Sequence, residues 1–405
     1  MKMVYVPAAG ITAALAIGLA AAGQAAGPAA QPAVYWISAE TQSGLGGMAG
    51  MGGGGMAMGM AAMFGGGMKG GNTAHSLALQ LGSGQRATGT AEGQHFIPPA
   101  LAAGKSLPLN YQQVATPERR DWKPETESQT EGGHARLKLY WGCGDPVSAG
   151  QPRILDSRSP ASFAALKGVD ARAMQELTAQ RFTSYGEWPN AKNSRTLKGD
   201  SSLVGDHLIQ ANYSPDIRFN LNAAQDFLAP LKVSQQRGGN GATQLSWPSV
   251  ARAKGYFIAV MGQDKDGSTV IWTSSAIPMA GFALPQWMTP AEVTRLVGQK
   301  AMLPGTATSC TVPAAVTGTM ESAFLTMAAF GDETNLAEPK PAGAPATWKP
   351  AWTVKLRYKS STSMLLGENA MAMGGDEAED AGDGKPAKKK KGSLLRKLGD
   401  VGLPF

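Results

Sequence analysis

Cysteine, histidine and charge are all scarce in this sequence, and long apolar runs are nearly absent. Two cysteines stand among 405 residues, Cys143 and Cys310. Two thiols cannot build a four-cysteine zinc centre or a disulfide-dense scaffold. They allow either one bridge between distant parts of the chain or two separate buried thiols. The four histidines, His75, His95, His134 and His207, are far apart, and none forms a pair at metal-ligand spacing. Charged residues make up 17% of the chain, against roughly 25% in an ordinary globular protein. The net charge of +7 is spread over the body, whereas nucleic acid binding asks for a clustered basic face. Nucleic acid is therefore not expected as a partner. No Gly-x-Ser-x-Gly elbow is present to carry a serine nucleophile. Ala103-Gly104-Lys105-Ser106 resembles the end of a phosphate-binding loop, but Pro99 stands where that loop needs its first glycine. No motif implies a cofactor.

What is plentiful is glycine and proline, 52 and 26 residues, much of it in low-complexity runs. Residues 1–25 read as a signal peptide. Lys2 gives the positive start, Ile11–Ala22 the apolar centre, and Gly23-Gln24-Ala25 a small-residue cleavage site. That centre is shorter than the roughly 20 residues of a spanning helix, although an uncleaved anchor is the alternative. Export is expected, to the periplasm or beyond, and an oxidising compartment permits a Cys143–Cys310 disulfide. Residues 44–71 form a Gly/Met-rich stretch in which glycine is too dense to offset its ordering entropy, so a disordered loop is predicted. Residues 361–405 are predicted to be a disordered charged tail, with an acidic block from Asp376 to Asp383 and a basic run from Lys388 to Lys391.

The remaining chain reads as mostly β. Val34–Thr41 and Ser76–Leu81 have strand patterning and are expected to form a hairpin across the Gly/Met stretch, because a long insertion at a loop tip costs little closure entropy. Residues 82–133 are mostly irregular, with a short strand near Leu107–Tyr111. Ala135–Trp141 and Asp216–Asn222 alternate apolar and polar residues, as half-buried strands do. A helix is predicted over Ser162–Arg181, with Phe163, Leu166, Met174 and Leu177 partly on one face. Arg237–Gly241 is Gly-rich and is the expected boundary between a first β domain, 26–236, and a second, 241–360. In the second, Leu245–Trp247, Tyr256–Val260 and Thr269–Thr273 read as successive strands. Thr289-Pro290-Ala291-Glu292 carries a helix-start signature. Ala323–Phe330 and Trp352–Tyr358 complete the strand set. The expected fold is thus two antiparallel β-sandwich-like domains with one or two short helices.

Leu245, Trp247, Ala253, Gly255, Tyr256 and Ile258 give a Trp ending one strand, a connection through Pro248, then Gly-Tyr opening an apolar strand. This resembles the B–C region of a fibronectin type III or immunoglobulin-like sandwich, over about residues 244–359. The helix near 289–300 departs from that pattern. The whole chain is also similar to secreted proteins of Gram-negative bacteria, a resemblance that supplies no activity. A sandwich is a scaffold for many functions.

Three groups of residues carry expectations of binding. Met48, Met51, Met56, Met58, Met60 and Met63 are thioethers that suit Cu(I) or Ag(I). The same stretch also reads as a partner contact or, foremost, as an unspecialised loop. Trp188 and Trp287 lie near prolines and are the better candidates for a loop platform that binds a ligand such as a sugar, whereas Trp247 and Trp272 are expected in the core. The Lys388–Lys391 run with Leu394, Leu395 and Leu398 suggests a peripheral membrane contact. The expected function is an exported, non-catalytic binding or envelope-structural module, with a protein or cell-envelope partner rather than a small molecule. Soft-metal binding through the methionines and a cell-wall or carbohydrate hydrolase are the alternatives. A hydrolase would need acids, or Ser and His, brought together in space.

Overall fold

The computed structural model describes residues 31–45, 73–111, 136–159, 161–162, 168–279 and 284–366. The described chain is mostly β. Its strands are β1 (Ala33–Ser43), β2 (Thr73–Ser83), β3 (Gly93–Phe96), β4 (Ser106–Leu109), β5 (Arg136–Trp141), β6 (Arg153–Asp156), β7 (Ser184–Trp188), β8 (Leu197–Lys198) and β9 (Gly205–Ala211). There follow β10 (Ser214–Leu221), β11 (Ser234–Arg237), β12 (Thr243–Ser246), β13 (Gly255–Asp264), β14 (Thr269–Thr273), β15 (Leu303–Pro304), β16 (Ser309–Val312), β17 (Met320–Ala337) and β18 (Trp352–Leu366). Two short helices accompany them, α1 (Pro290–Gly298) and α2 (Ala314–Thr317).

The strands form one large sheet, ordered β6-β5-β14-β13-β17-β18-β1-β2-β7, with β15 beside β13 and β8 beside β2. A four-stranded sheet, β10-β9-β3-β4, and a three-stranded sheet, β11-β12-β16, are separate from it. Alternation along each strand sends one set of side chains to a shared core. Tyr35 and Ile37 of β1, Leu79 of β2, Ile258 and Val260 of β13, and Val354 and Leu356 of β18 meet Leu107, Ile209 and Ile217 of the four-stranded sheet there. Leu245 and Val312 of the three-stranded sheet join the same core. The result is a sandwich-like packing of sheets.

β1 and β2 pair antiparallel from Val34–Gly82 to Ser43–Thr73, which is the hairpin expected across the Gly/Met stretch. β1 also pairs with β18, in parallel, from Ala33–Trp352 to Ser43–Thr362. The first and last described strands are therefore neighbours. Strands from both sides of residue 237 share this large sheet and its core. The Gly-rich segment there is the turn of the β11–β12 hairpin, closed by Gly238 N–H donating to Ala242 O (2.8 Å). The sheets do not divide at that point.

α1 begins as its sequence predicts. Thr289 Oγ1 accepts from Glu292 N–H at 3.1 Å, and Pro290 occupies the first turn. The Glu292 carboxylate does not close a capping box. It pairs with Arg295 and accepts from Arg172 N–H (2.9 Å), tying α1 to the segment at 168–178. That segment is the main departure from expectation. Among the described residues of 162–181 the predicted helix is absent after Gly168, apart from a short 3-10 turn at Ala179–Arg181. Its backbone groups are instead claimed from outside: Val169 N–H donates to Pro278 O and Met174 N–H to Trp287 O (2.9 Å), while Arg295 donates to Asp170 O. A chain whose polar groups find partners across the fold has no need of the helical ladder.

Candidate functional site

The side of β1 and β18 turned away from the shared core is the most chemically loaded surface in the described structure. Alternation places Trp36, Ser38 and Glu40 on it from β1, and Lys355, Arg357 and Lys359 from β18. The parallel register sets them opposite one another as Trp36–Lys355, Ser38–Arg357 and Glu40–Lys359. Lys and Arg here alternate with Val354, Leu356 and Tyr358, a pattern that ordinarily leaves the charged face in solvent. It is not wet. The 168–178 segment brings Met174 and Leu177 over it, and the chain before α1 brings Trp287, and these pack with Trp36 and Tyr185 into a small cluster. Arg357 is left only 4% exposed.

Burying cations is costly unless each finds a counter-charge and hydrogen bonds. Each does. Lys359 Nζ meets Glu40 Oε1 at 3.1 Å, and Glu40 also accepts from Ser361 Oγ. Lys355 Nζ lies 3.5 Å from Glu333. The Arg357 guanidinium donates from Nε to Ser38 Oγ (2.7 Å), and from its two terminal nitrogens to both Glu176 carboxylate oxygens at 2.7 and 2.6 Å. It lies 5.2 Å from the Trp36 ring centroid and 4.6 Å from that of Trp287, so both indoles add cation–π attraction. Lys359 also approaches the Trp287 ring (5.1 Å) and Lys355 that of Trp36 (4.9 Å).

A second polar cluster crosses the sandwich interior. Tyr35 Oη of β1 meets His95 Nδ1 of β3 at 2.8 Å, His95 Nε2 meets His207 Nδ1 of β9 at 2.9 Å, and His207 Nε2 meets Leu203 O at 2.7 Å. A carbonyl only accepts, so His207 Nε2 carries a proton; with both rings neutral its Nδ1 then accepts from His95 Nε2, and His95 Nδ1 accepts from the tyrosine. Burial pushes the pKa of His95 well down, and His207 nearby adds to that. Burial lowers that of His207 too, against the opposing Leu203 carbonyl and Asp206. His75 is likewise buried and lowered. Its Nδ1 faces Thr41 Oγ1, its Nε2 faces Gly199 O, and its ring stacks on Phe227. Two histidines far apart in sequence are thus hydrogen-bonded partners, which their spacing did not reveal. His134 lies outside the described residues.

Neither a family model nor a curated protein sequence matches this chain. Its residues must therefore be read from their own geometry.

The predicted site residues distribute as follows. Cys143 and Cys310 are joined by a disulfide, with Cα atoms 5.2 Å apart. Trp188 is not a loop platform. It closes β7 with 1% of its surface exposed, packed in the main core, and its Nε1–H donates to Asn193 Oδ1. Trp287 is buried at 9% exposure and serves as a wall of the Arg357 cluster, offering no open face. Trp247 and Trp272 are core residues, as expected. Met48, Met51, Met56, Met58, Met60 and Met63 lie outside the described residues, as do residues 1–25 and the Lys388–Lys391 run. Among the described residues no three or more His, Cys, Asp or Glu side chains gather closely enough to hold a metal ion. Sequence reading missed Arg357, Lys359, Glu40 and Glu176. Three cations at alternate positions on one strand were the available signal.

Proposed function

We propose that the protein is an exported binding module of the cell envelope, in which a rigid sandwich holds contact segments at one end of its large sheet. The observation that carries this reading is where the chain leaves the sheet. β1 ends at Ser43 and β2 begins at Thr73, beside the end of β18. β18 ends at Leu366, opposite the start of β17. β5, parallel to β14, begins at Arg136 at the same level as Thr269. The strand ends at Ser43, Thr73, Arg136 and Leu366 therefore lie together at one end of the large sheet, where a single partner can meet them, whereas Tyr111 packs with Val34, Trp36 and Tyr185 toward the other end. The disulfide supports export, since such bonds persist in oxidising compartments. The likeness to a fibronectin type III or immunoglobulin-like sandwich is part of the same proposal. It is supported by β12 and β13 lying in different sheets, with Trp247 packed edge-on to Tyr256 between them (5.6 Å).

Affinity capture from envelope fractions tests this, using the mature chain and a form lacking residues 46–71. Partners retained by the full chain and lost in the shortened form are expected. Identical capture by both forms, or capture of nothing from envelope fractions, overturns the reading.

A further inference from the structure

The Arg357–Glu176 pair is built unequally. Arg357 stands on a central strand, fixed by Ser38 and walled by Trp36 and Trp287. Its side chain is 5% exposed, and that of Glu176 is 40% exposed. The cation is thus held by the sheet, and its counter-ion reaches in from a segment with neither helix nor strand and keeps much of its surface in solvent. A planar fork closed on both oxygens of one carboxylate is the arrangement by which arginine recognises carboxylate ligands.

Charge decides the class of anion. Lys359 is matched by Glu40 and Lys355 by Glu333, so one negative charge remains to be supplied at Arg357. A carboxylate monoanion supplies that one charge, whereas a phosphate dianion leaves an excess beside Glu40. Exchange also requires little movement. Met174 N–H bonded to Trp287 O and Gln80 Nε2 bonded to Leu177 O anchor the backbone on either side of Glu176. Only the Glu176 side chain has to rotate outward, and its carboxylate is readily hydrated once free.

We propose that the Arg357 fork is a binding site for an external carboxylate, and that Glu176 is its resident occupant, displaced when such a ligand binds. This assignment stands apart from the envelope-partner reading and does not need it. The internal carboxylate competes with the ligand, so removing it raises apparent affinity by the reciprocal of the fraction of time the fork is free.

Calorimetric titration of the mature protein tests this with three probes: butyrate, acetyl-Ala-Glu-Ala-amide and inorganic phosphate. Glu176→Gln is expected to bind a carboxylate probe about 10-fold or more tightly than wild type, and Arg357→Lys, which keeps the charge and loses the fork, is expected to abolish that binding. Tighter binding of the peptide assigns an acidic peptide as the source, and tighter binding of butyrate a free acid. Phosphate binding best of the three overturns the carboxylate assignment. A folded Glu176→Gln protein that binds neither carboxylate more tightly than wild type overturns the proposal. Should Arg357→Lys fail to fold, the indole N–H resonances of Trp36 and Trp287 in Glu176→Gln decide the location. They must shift on titration, and shifts confined to other tryptophans overturn it.

Discussion

At the scale of single residues, chemistry here is governed by burial. In the neutral Tyr35–His95–His207–Leu203 line each ring donates one hydrogen bond and accepts one, and a proton added to His207 Nδ1 would oppose the one on His95 Nε2 unless that ring changed tautomer. Tyr35 is locked in the same way, its hydroxyl pKa raised well above normal by burial and by nearby Tyr213. The folded pKa values of His75, His95 and His207 lie below the roughly 6.5 of a free histidine. Their contribution to stability is thus fully present above about pH 6.5. It is lost as pH falls from there toward the folded pKa values, because the unfolded chain takes up protons first. Thermal unfolding followed from pH 8 to pH 5 should show a falling midpoint through this window. His95→Gln with His207→Gln should start lower and fall less steeply. An unchanged slope would place the acid sensitivity elsewhere.

At the scale of elements, local patterning served well for strands and poorly for what covers them. β1, β2, β5, β13, β14 and β18 were legible because each alternates or runs apolar over strand length, and α1 because its cap chemistry is local. β7 was not, since Ser184–Trp188 contains a glycine and is followed by proline. The structure gives that glycine its reason. A Cβ on Gly186 would lie 2.4 Å from Tyr213 Oη and 2.7 Å from Leu109 O, so only glycine lets β7 approach β4. Gly186→Ala should destabilise the protein by about 1–3 kcal/mol, as overpacked sites do. Gly239→Ala, in the open β11–β12 turn where nothing lies within 4 Å, should leave the denaturation midpoint nearly unchanged. Equal midpoints for the two variants would contradict the close approach. The failed helix at 168–178 makes the converse point. Its apolar spacing suited a helix, but Met174 and Leu177 are buried by the sheet side of β1 and β18 rather than by a helical stripe.

At the scale of the whole molecule, long-range closures hold the sandwich together. The β1–β18 pairing joins the two ends of the described chain, and the disulfide joins positions 167 apart. Cys143 follows β5 of the large sheet, and Cys310 lies in β16 of the three-stranded sheet, so the bond ties two sheets. Closing a loop of that length removes unfolded-state entropy worth about 5 kcal/mol. Urea unfolding with and without reductant, and of Cys143→Ser with Cys310→Ser, should show a large loss of stability in both the reduced and the substituted protein. Little change in either would mean that the sheets are held by packing alone.

The sequence by itself determined the strand-rich character, the β1–β2 hairpin, the start of α1 and the core placement of Trp247 and Trp272. These follow from periodicity and capping, which act over a few residues. Only the tertiary structure decided that the strands on either side of residue 237 share one sheet, that His95 meets His207, and that Glu176 reaches Arg357. Each of these depends on chain segments tens to hundreds of residues apart. Their contact is set by the summed packing of sheets, and no local pattern records it.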